Sequence, residues 1–480
     1  MTDITRPSLR LRPSEQRAIL LIGDLIAAAG AMLLALYFWY EYSLYILIKS
    51  GLSAAKAERL IDVKVPFWFY LLPLIWLLLM VDSYETHIAS NWKKTLRGIA
   101  VAPIVGLFGY SLLFTFNQDP NSLPRIGIGA FLVLASILTL AWRGTYIRLY
   151  TSSGLMRRVL IVGAGKAGHS LLEIYRKLNP PPFLLVGFID DDIRKHGKPH
   201  HGFEVLGTSE KLLEIIENYH ISDVVVAIKG VIKGETFQII LDAQEQGAEV
   251  IRMPIMYEEL TQRVPVEHLE SDWVIRSFVD QVRVSGAYEL SKRLTDIFGG
   301  LVGVAFYLLT FPFIAVAIVL ESGFPILYTQ DRSGKGGRVF RIYKYRSMYQ
   351  SVEADAEIKL AEVNDPRITR VGNFLRKSRI DELPQFWSVL TGEISLVGPR
   401  AEQPKLVAEY QKKIPFYRAR LLVKPGLTGW AQINYGYVAS VKETFVKLEY
   451  DLYYIKHRSL GMDINIILRT IGTVLRRTGR

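Results

Sequence analysis

Two places in the sequence carry side chains whose type and spacing suit phosphate chemistry. The first is Asp381-Glu382, adjacent carboxylates with Pro384 just behind them. Proline favours the first turn of a helix, so the pair is expected where a helix begins and its free amides favour negative charge. One carboxylate can act as a nucleophile and its neighbour as a ligand for a divalent metal. The plain alternative is that Asp381 only caps the helix. The second place is the turn Gly163-Ala164-Gly165-Lys166-Ala167-Gly168, which follows Val159–Val162 and precedes Asp190 by 22 positions. Such glycines let a backbone turn tightly against a pyrophosphate, and such an acid holds a ribose. Gly163, Gly165, Gly168 and Asp190 are therefore candidate nucleotide-binding residues. The alternative is a domain of that shape that has lost its ligand and serves as a spacer or a homodimer surface.

The glycine turn needs a sheet and helices to hold it, and the flanking pattern supplies them. Phe183–Ile189, Asp223–Ile228 and Glu249–Met253 read as strands, while Leu171–Leu178, Ser209–Tyr219 and Thr236–Gln246 read as helices. This alternation predicts a small parallel sheet, a Rossmann-like unit over residues 151–256. An irregular linker is expected over 257–287.

Ahead of that unit the chain turns apolar. The runs Ala18–Tyr40, Val65–Val81, Gly98–Phe116 and Ile126–Trp142 are each near the length of about 17–25 residues that a membrane span needs. Residues 1–150 are thus expected to form four transmembrane helices. Arg6, Arg10, Arg12 and Arg17 precede the first run, Lys93, Lys94 and Arg97 lie between the second and third, and Arg143, Arg148, Arg157 and Arg158 follow the fourth. By the positive-inside rule these clusters are cytoplasmic, and Asn117–Pro124, which has Asp119 and no Lys or Arg, is an outer loop. The stretch Lys49–Lys64 is mixed and argues weakly against this arrangement.

The carboxylate pair lies in the most basic part of the chain. Residues 331–480 hold 27 Lys plus Arg against 15 Asp plus Glu, whereas residues 1–330 hold 31 of each, so the net charge of +12 sits in the last third. A basic region on a membrane protein suits phosphorylated substrates or anionic lipid headgroups. Nothing in it resembles a nucleic-acid-binding motif, so no nucleic acid is expected. The apolar stretch Ile297–Leu320 precedes this region and is interrupted by Pro312. Lys292 and Arg293 come before it and Arg332, Lys335, Arg338, Arg341, Lys344 and Arg346 after it, so both flanks ask to be cytoplasmic. The expectation is a re-entrant membrane helix over 297–320, a helical hairpin with Pro312 as its hinge; the alternative is an ordinary Pro-kinked transmembrane helix. The chain has no Cys, which excludes disulfides, thiolate metal sites and cysteine nucleophiles. The first apolar run is too long for a cleaved signal peptide, and no cleavage site follows it.

The last third also carries an ordered series of motifs: Lys292-Arg293, Tyr328-Thr329-Gln330-Asp331-Arg332, Phe340–Met348 with Lys344 and Arg346, Arg376–Gln385, Gly398-Pro399-Arg400, Lys424–Trp430 and Asp451–Tyr454. This series, over residues 288–480, resembles the polyprenyl-phosphate glycosyl-1-phosphate transferases, bacterial sugar transferases that start exopolysaccharide and O-antigen synthesis. The four upstream runs and the Rossmann-like unit resemble the large, multi-pass branch of that family. The resemblance implies a small α/β catalytic domain on the cytoplasmic face of the bacterial inner membrane. It implies transfer of a hexose-1-phosphate, glucose first and galactose second, from a UDP-sugar to undecaprenyl phosphate with release of UMP. Asp381 would attack the β-phosphate, Glu382 would hold Mg2+, and Lys344, Arg376 and Arg400 would bind substrate phosphate and nucleotide.

Two other classes set the bounds of this reading. A nicotinamide-dependent nucleotide-sugar dehydratase or epimerase would use the glycine turn, but it also needs a Tyr-x-x-x-Lys pair in a soluble catalytic half; in the last third neither Tyr343 nor Tyr345 has Lys four residues on, and no suitable second domain follows. A non-catalytic scaffold of polysaccharide assembly would have no requirement for Asp381.

Overall fold

The computed structural model describes residues 13–60, 65–84, 92–116, 125–150, 156–197, 199–200, 202–230, 232–269, 285–349, 367–436 and 440–475. The loop Asn117–Pro124 and residues 270–284 of the expected linker lie outside them. The chain divides into two compact units, Met1–Met253 and Pro254–Arg480.

The first unit begins with helices α1 (Pro13–Lys49), α2 (Ala54–Leu60), α3 (Leu72–Leu79), α4 (Trp92–Phe116) and α5 (Arg125–Tyr150). Within α1, α4 and α5, the stretches Glu15–Lys49, Thr95–Thr115 and Arg125–Leu149 are long and apolar enough to cross a membrane. Small residues bring backbones close, with Ala28, Ala31, Ala35 and Ala135 fully buried, while Ile22, Ile26 and Leu33 stay exposed. That inversion, small inside and large aliphatic outside, is what lipid as solvent allows. The run Val65–Val81, expected as the second span, is instead broken into pieces. A 3-10 turn at Phe67–Leu71, the 8-residue α3 and a 3-10 turn at Val81–Tyr84 replace one long helix. Even counted with the first of these turns, the apolar helix Phe67–Leu79 is shorter than a full span of about 17–25 residues. Pro66 precedes the first turn and Pro73 restarts the helix. Trp76 then pins the segment inside the bundle, its indole N–H donating to Thr139 Oγ1 at 3.0 Å.

Arg143, expected among the solvated flanking charges, is buried instead. Its guanidinium donates to Asp24 at 2.6 Å and 3.1 Å and to the Ser83 carbonyl at 3.0 Å. An apolar bundle tolerates an arginine there only because a carboxylate and a backbone oxygen meet it.

The same unit carries a six-stranded sheet of order β3-β4-β2-β1-β5-β6. The strands are β1 (Arg158–Val162), β2 (Leu184–Ile189), β3 (Pro199–His200), β4 (Phe203–Gly207), β5 (Asp223–Val226) and β6 (Glu249–Arg252). All neighbours are parallel except β3 and β4. Helices α6 (Lys166–Lys177), α7 (Leu212–Tyr219) and α8 (Gly234–Glu245) connect them. Strands buried on both faces explain the near-continuous β-branched runs, of which Val224 and Val225 are fully enclosed.

The second unit starts with α9 (Met253–Thr261) and a 3-10 turn at Val266–His268. This stretch, expected as the start of a linker, belongs to a core. Val264, Val266 and Leu269 are buried in one cluster with Val397, Tyr417, Trp430, Leu448 and Leu452. Next comes α10 (Gly286–Ser322), a single helix that continues through Pro312 rather than the two arms of a hairpin. In the turn before the proline, the Thr310 hydroxyl donates to the Phe306 carbonyl at 2.8 Å and reaches that of Tyr307 at 3.2 Å. One face of α10 lies against the unit, and the absence of a side chain at Gly303 lets the Phe386 ring pack on the helix, since a Cβ there would sit 2.1 Å from it. The other face exposes Leu301, Leu308, Leu309, Phe313, Val316 and Leu320.

The remainder is built from the hairpin β7 (Leu327–Ser333) and β8 (Val339–Tyr345), the parallel pair β9 (Ser395–Val397) and β10 (Gly426–Thr428), and helices around them. These are α11 (Arg370–Lys377), α12 (Phe386–Thr391), α13 (Pro404–Lys413), α14 (Trp430–Asn434), α15 (Val441–His457) and α16 (Leu460–Leu475). Both ends of α10 are tied into this framework. Near its start, Lys292 Nζ donates to Asp463 Oδ2 and to the Val397 carbonyl, each at 2.9 Å. At its end, the Glu321 carboxylate accepts from the N–H groups of Arg370 and Val371 at 2.7 and 2.8 Å, closing the first turn of α11. Lys292 and Arg293 therefore spend their hydrogen bonds inside the unit, Arg293 on the Val389 and Leu390 carbonyls at the end of α12.

Candidate active site

Asp381 and Glu382 lie in the first turn of a 3-10 helix, Ile380–Gln385, that runs into α12. Arg379 occupies the cap position with φ of 60°, and no side chain caps this turn, so Asp381 is not a helix cap. The left-handed residue reverses the chain between α11 and the 3-10 helix, and both carboxylates end up buried. Strand β8 delivers Lys344 to them, and the loop after β9 delivers Arg400.

Glu382 is the hub. Its Oε1 accepts from Lys344 Nζ at 2.7 Å and from Arg400 Nη2 at 3.0 Å, and its Oε2 lies 3.8 Å from Arg379 Nη1. Burial works against its charge, but Lys344, Arg400 and Arg379 outweigh it and hold the carboxyl well below the usual range. Asp381 has the opposite balance. Burial pushes it up to about 6, and the neighbouring Glu382 charge adds to the rise, while Lys344 4.0 Å away works against both. Asp381 accepts no hydrogen bond among the described residues, so its oxygens are uncommitted. Two adjacent carboxylates in one cluster thus differ in kind, one clamped by cations and one free to react.

Of the expected phosphate-binding residues, the structure brings Lys344 and Arg400 to the pair. It does not bring Arg376, a half-buried residue of α11 that has no ion pair among the described residues. Arg379, which stands two residues before Asp381 in the same motif, takes the third cationic place. Its nearness in sequence was visible, but the positive φ that reverses the chain there was not.

Behind Arg400 lies a second buried layer. Arg420 donates to the Arg400 carbonyl and to Asp451 Oδ2, each at 2.9 Å, and to Tyr417 at 2.7 Å. Lys447 pairs with Glu402, which also lies 3.6 Å from Arg420. These residues fix the backbone from which Arg400 reaches Glu382, and no local spacing marks them.

The glycine turn is a separate feature of the first unit. Gly163 has φ of 109° and its N–H donates to the Ile189 carbonyl at 2.7 Å; a Cβ there would meet the Ala227 carbonyl oxygen at 2.9 Å. Gly165 precedes α6 as its cap and Gly168 lies in the first turn of that helix, against Gly163. Asp190 is spent on the turn itself. It accepts from Ala164 N at 2.8 Å, Asp192 N at 2.9 Å and Lys195 Nζ at 2.7 Å. A ribose hydroxyl would have to displace these partners.

Comparison with known proteins matches two parts of the chain to families. Residues 287–477 match the model of the bacterial sugar transferase family, and residues 80–253 match that of a CoA-binding domain. A UDP-N-acetylgalactosamine-undecaprenyl-phosphate N-acetylgalactosaminephosphotransferase of Aeromonas hydrophila is 44% identical over 218 residues, 45% of this chain and 50% of that protein. The chain thus spans half the length of that relative. Two UDP-glucose:undecaprenyl-phosphate glucose-1-phosphate transferases are covered more fully. That of Xanthomonas campestris pv. campestris is 31% identical over 79% of each chain. That of Escherichia coli (strain K12) is 32% identical over 80% of this chain and 84% of its own. With relatives of this kind matched along most of their length, and a buried carboxylate pair among cations in the matched region, the chain belongs to the bacterial sugar transferases, the polyprenyl-phosphate glycosyl-1-phosphate transferases.

Proposed function

We propose that this protein transfers a hexose-1-phosphate from a UDP-sugar to undecaprenyl phosphate and releases UMP, as the first step of exopolysaccharide or O-antigen synthesis. The observation that carries the reading is the inequality of the two carboxylates. An uncommitted Asp381 beside a cation-clamped Glu382 suits nucleophilic attack on a phosphate. An Asp381 oxygen bonds to the β-phosphorus, the bond from that phosphorus to the bridging oxygen breaks, and UMP leaves with the electron pair. The phosphate of undecaprenyl phosphate then attacks the same phosphorus and frees Asp381. Lys344, Arg379 and Arg400 offer charge to the phosphate oxygens.

Among the described residues no group of three or more metal-binding side chains forms a cage. Mg2+ does not need one, because it is commonly held by one or two carboxylates plus substrate phosphates. The Glu382 Oε2, farther from the cations than Oε1, and a free Asp381 oxygen would hold it. Bound there, the ion would neutralise pyrophosphate charge.

Glucose is the first choice of sugar because the two relatives matched over about four fifths of their length carry that name, with galactose second; the name of the Aeromonas relative adds N-acetylgalactosamine to the panel. The N-terminal helices would be embedded in the bacterial inner membrane, with the catalytic unit and the Rossmann-like unit in the cytoplasm. For α10 a course that enters and leaves by one membrane face is supported by its two ends, since one globular unit that grips both Lys292 and Glu321 cannot stand on both sides of a bilayer. In the Rossmann-like unit, the match to a CoA-binding domain supports a nucleotide ligand at Gly163, Gly165 and Gly168.

Purified protein with Mg2+, undecaprenyl phosphate and UDP-glucose, UDP-galactose or UDP-N-acetylgalactosamine tests the reading. UMP should appear with one of them, about one per enzyme at most without the lipid and in continuous turnover only when the lipid is present. No UMP from any donor by a folded protein would overturn it.

A further inference from the structure

Helix α9 and the Val266–His268 turn run on directly from β6, yet they pack in the second unit. Their polar contacts gather on α15. Glu258 is buried and accepts from Lys456 Nζ at 2.8 and 3.0 Å, with His457 Nε2 at 2.8 Å. Tyr257 donates its hydroxyl to Glu449 at 3.3 Å, Arg263 lies 3.3 Å from the same carboxylate, and Val264 N–H donates to the Glu449 carbonyl at 3.1 Å. Trp430 adds a bond to the Gln262 carbonyl at 3.1 Å. Buried carboxylates of this kind contribute less to stability than apolar side chains of the same volume, but they define the register of the elements they join.

Two residues either side of Glu449 on α15 stand Lys447 and Asp451. These hold Glu402 and Arg420, and Arg420 holds the Arg400 carbonyl. One short length of helix therefore carries both the strap and the support of an active-site cation. We infer that the Pro254–Leu269 strap positions the active site: Tyr257, Glu258 and Glu449 are positioning residues that fix α15 and, through Lys447, Asp451 and Arg420, set Arg400 against Glu382. The effect on turnover rests on the transferase reading; the effect on the Arg400 loop does not.

The test uses the full-length protein in its membrane, as Tyr257→Phe, Glu258→Gln and the conservative Glu258→Asp. Hydrogen exchange is followed at Gly398–Glu402 and at the β7–β8 hairpin, alongside kcat and KM for the UDP-sugar. In Tyr257→Phe and Glu258→Gln the Gly398–Glu402 amides should exchange several-fold faster, with the hairpin unchanged. Loss of Arg400 alignment should lower kcat about tenfold while KM stays within about twofold. Glu258→Asp should recover part of both effects. Unchanged exchange at Gly398–Glu402 would overturn the inference, as would equal acceleration across the unit, which is plain destabilisation. Should the wild-type protein release no UMP, the transferase reading fails and the exchange measurement alone decides the strap.

Discussion

Lys344 donates a hydrogen bond to Oε1 of Glu382 at 2.7 Å while standing 4.0 Å from Oδ2 of its neighbour Asp381. One ammonium thus clamps the first carboxylate and only stabilises the charge of the second. Lys344→Met should leave the fold intact but lower kcat by about 100-fold, because Glu382 loses its nearest cation and Asp381 becomes harder to ionise. Asp381→Asn should abolish turnover outright, because an amide does not attack phosphorus. UMP release by folded, membrane-bound variants checks both, and substantial turnover by Asp381→Asn removes it as nucleophile.

The course of α10 can be read by labelling, since the chain has no native Cys. Glu289 and Arg338 are exposed positions on either side of the helix. Glu289→Cys and Arg338→Cys should both be shielded from an impermeant thiol reagent in intact cells and both react after lysis. Labelling of the Arg338 position alone would show that α10 spans the membrane.

Truncation should find the true edge of the catalytic unit. All the motifs of the transferase series lie beyond residue 288, which makes a chain beginning at Ala287 look sufficient. Such a chain lacks Val264, Val266 and Leu269 from the core and leaves Glu449 without Tyr257 and Arg263. A chain beginning at Pro254 should therefore keep a sharp thermal transition and measurable UMP release. One beginning at Ala287 should melt lower and release at least about tenfold less UMP, as expected when several buried side chains and their partners are lost together. Equal melting and turnover would show the strap to be dispensable.

Two carboxylates should shape stability against pH in opposite directions. Burial pushes Glu449 up to about 7, with Arg263 only partly opposing it. Between pH 4.5 and 7 the native state keeps a proton that the unfolded chain has released, so stability falls as pH rises, by on the order of 3 kcal/mol. Glu402 is half-buried, and Lys447 and Arg420 outweigh the burial and lower it to about 2. Its contribution is present above its unfolded value and is lost as pH falls towards 2. In melting curves of the detergent-solubilised protein, Glu449→Gln should flatten the slope between pH 4.5 and 7, and Glu402→Gln the slope below it.

The features legible in the sequence are those written locally. Asp381 and Glu382 are neighbours, Lys344 and Arg400 sit in ordered motifs, and the strand–glycine turn–helix at Val159–Leu178 follows from periodicity and from what glycine permits. Apolar runs likewise announced α1, α4, α5 and α10, because hydropathy is a sum over consecutive residues. The tertiary structure decided which charges are free. Arg143 and Lys292 look alike as flanking cations, yet one is enclosed by Asp24 and the other bound to Asp463, more than a hundred positions away in each case. Arg376 and Arg379 share a motif, but only Arg379, where a left-handed turn reverses the chain, reaches Glu382. The stretch Tyr257–Leu269 has the composition of a linker and becomes core only because Trp430, Leu448 and Leu452 lie where it passes. A charge or an apolar side chain acquires its energy from the surface that removes it from water, and that surface is built by residues remote in the chain.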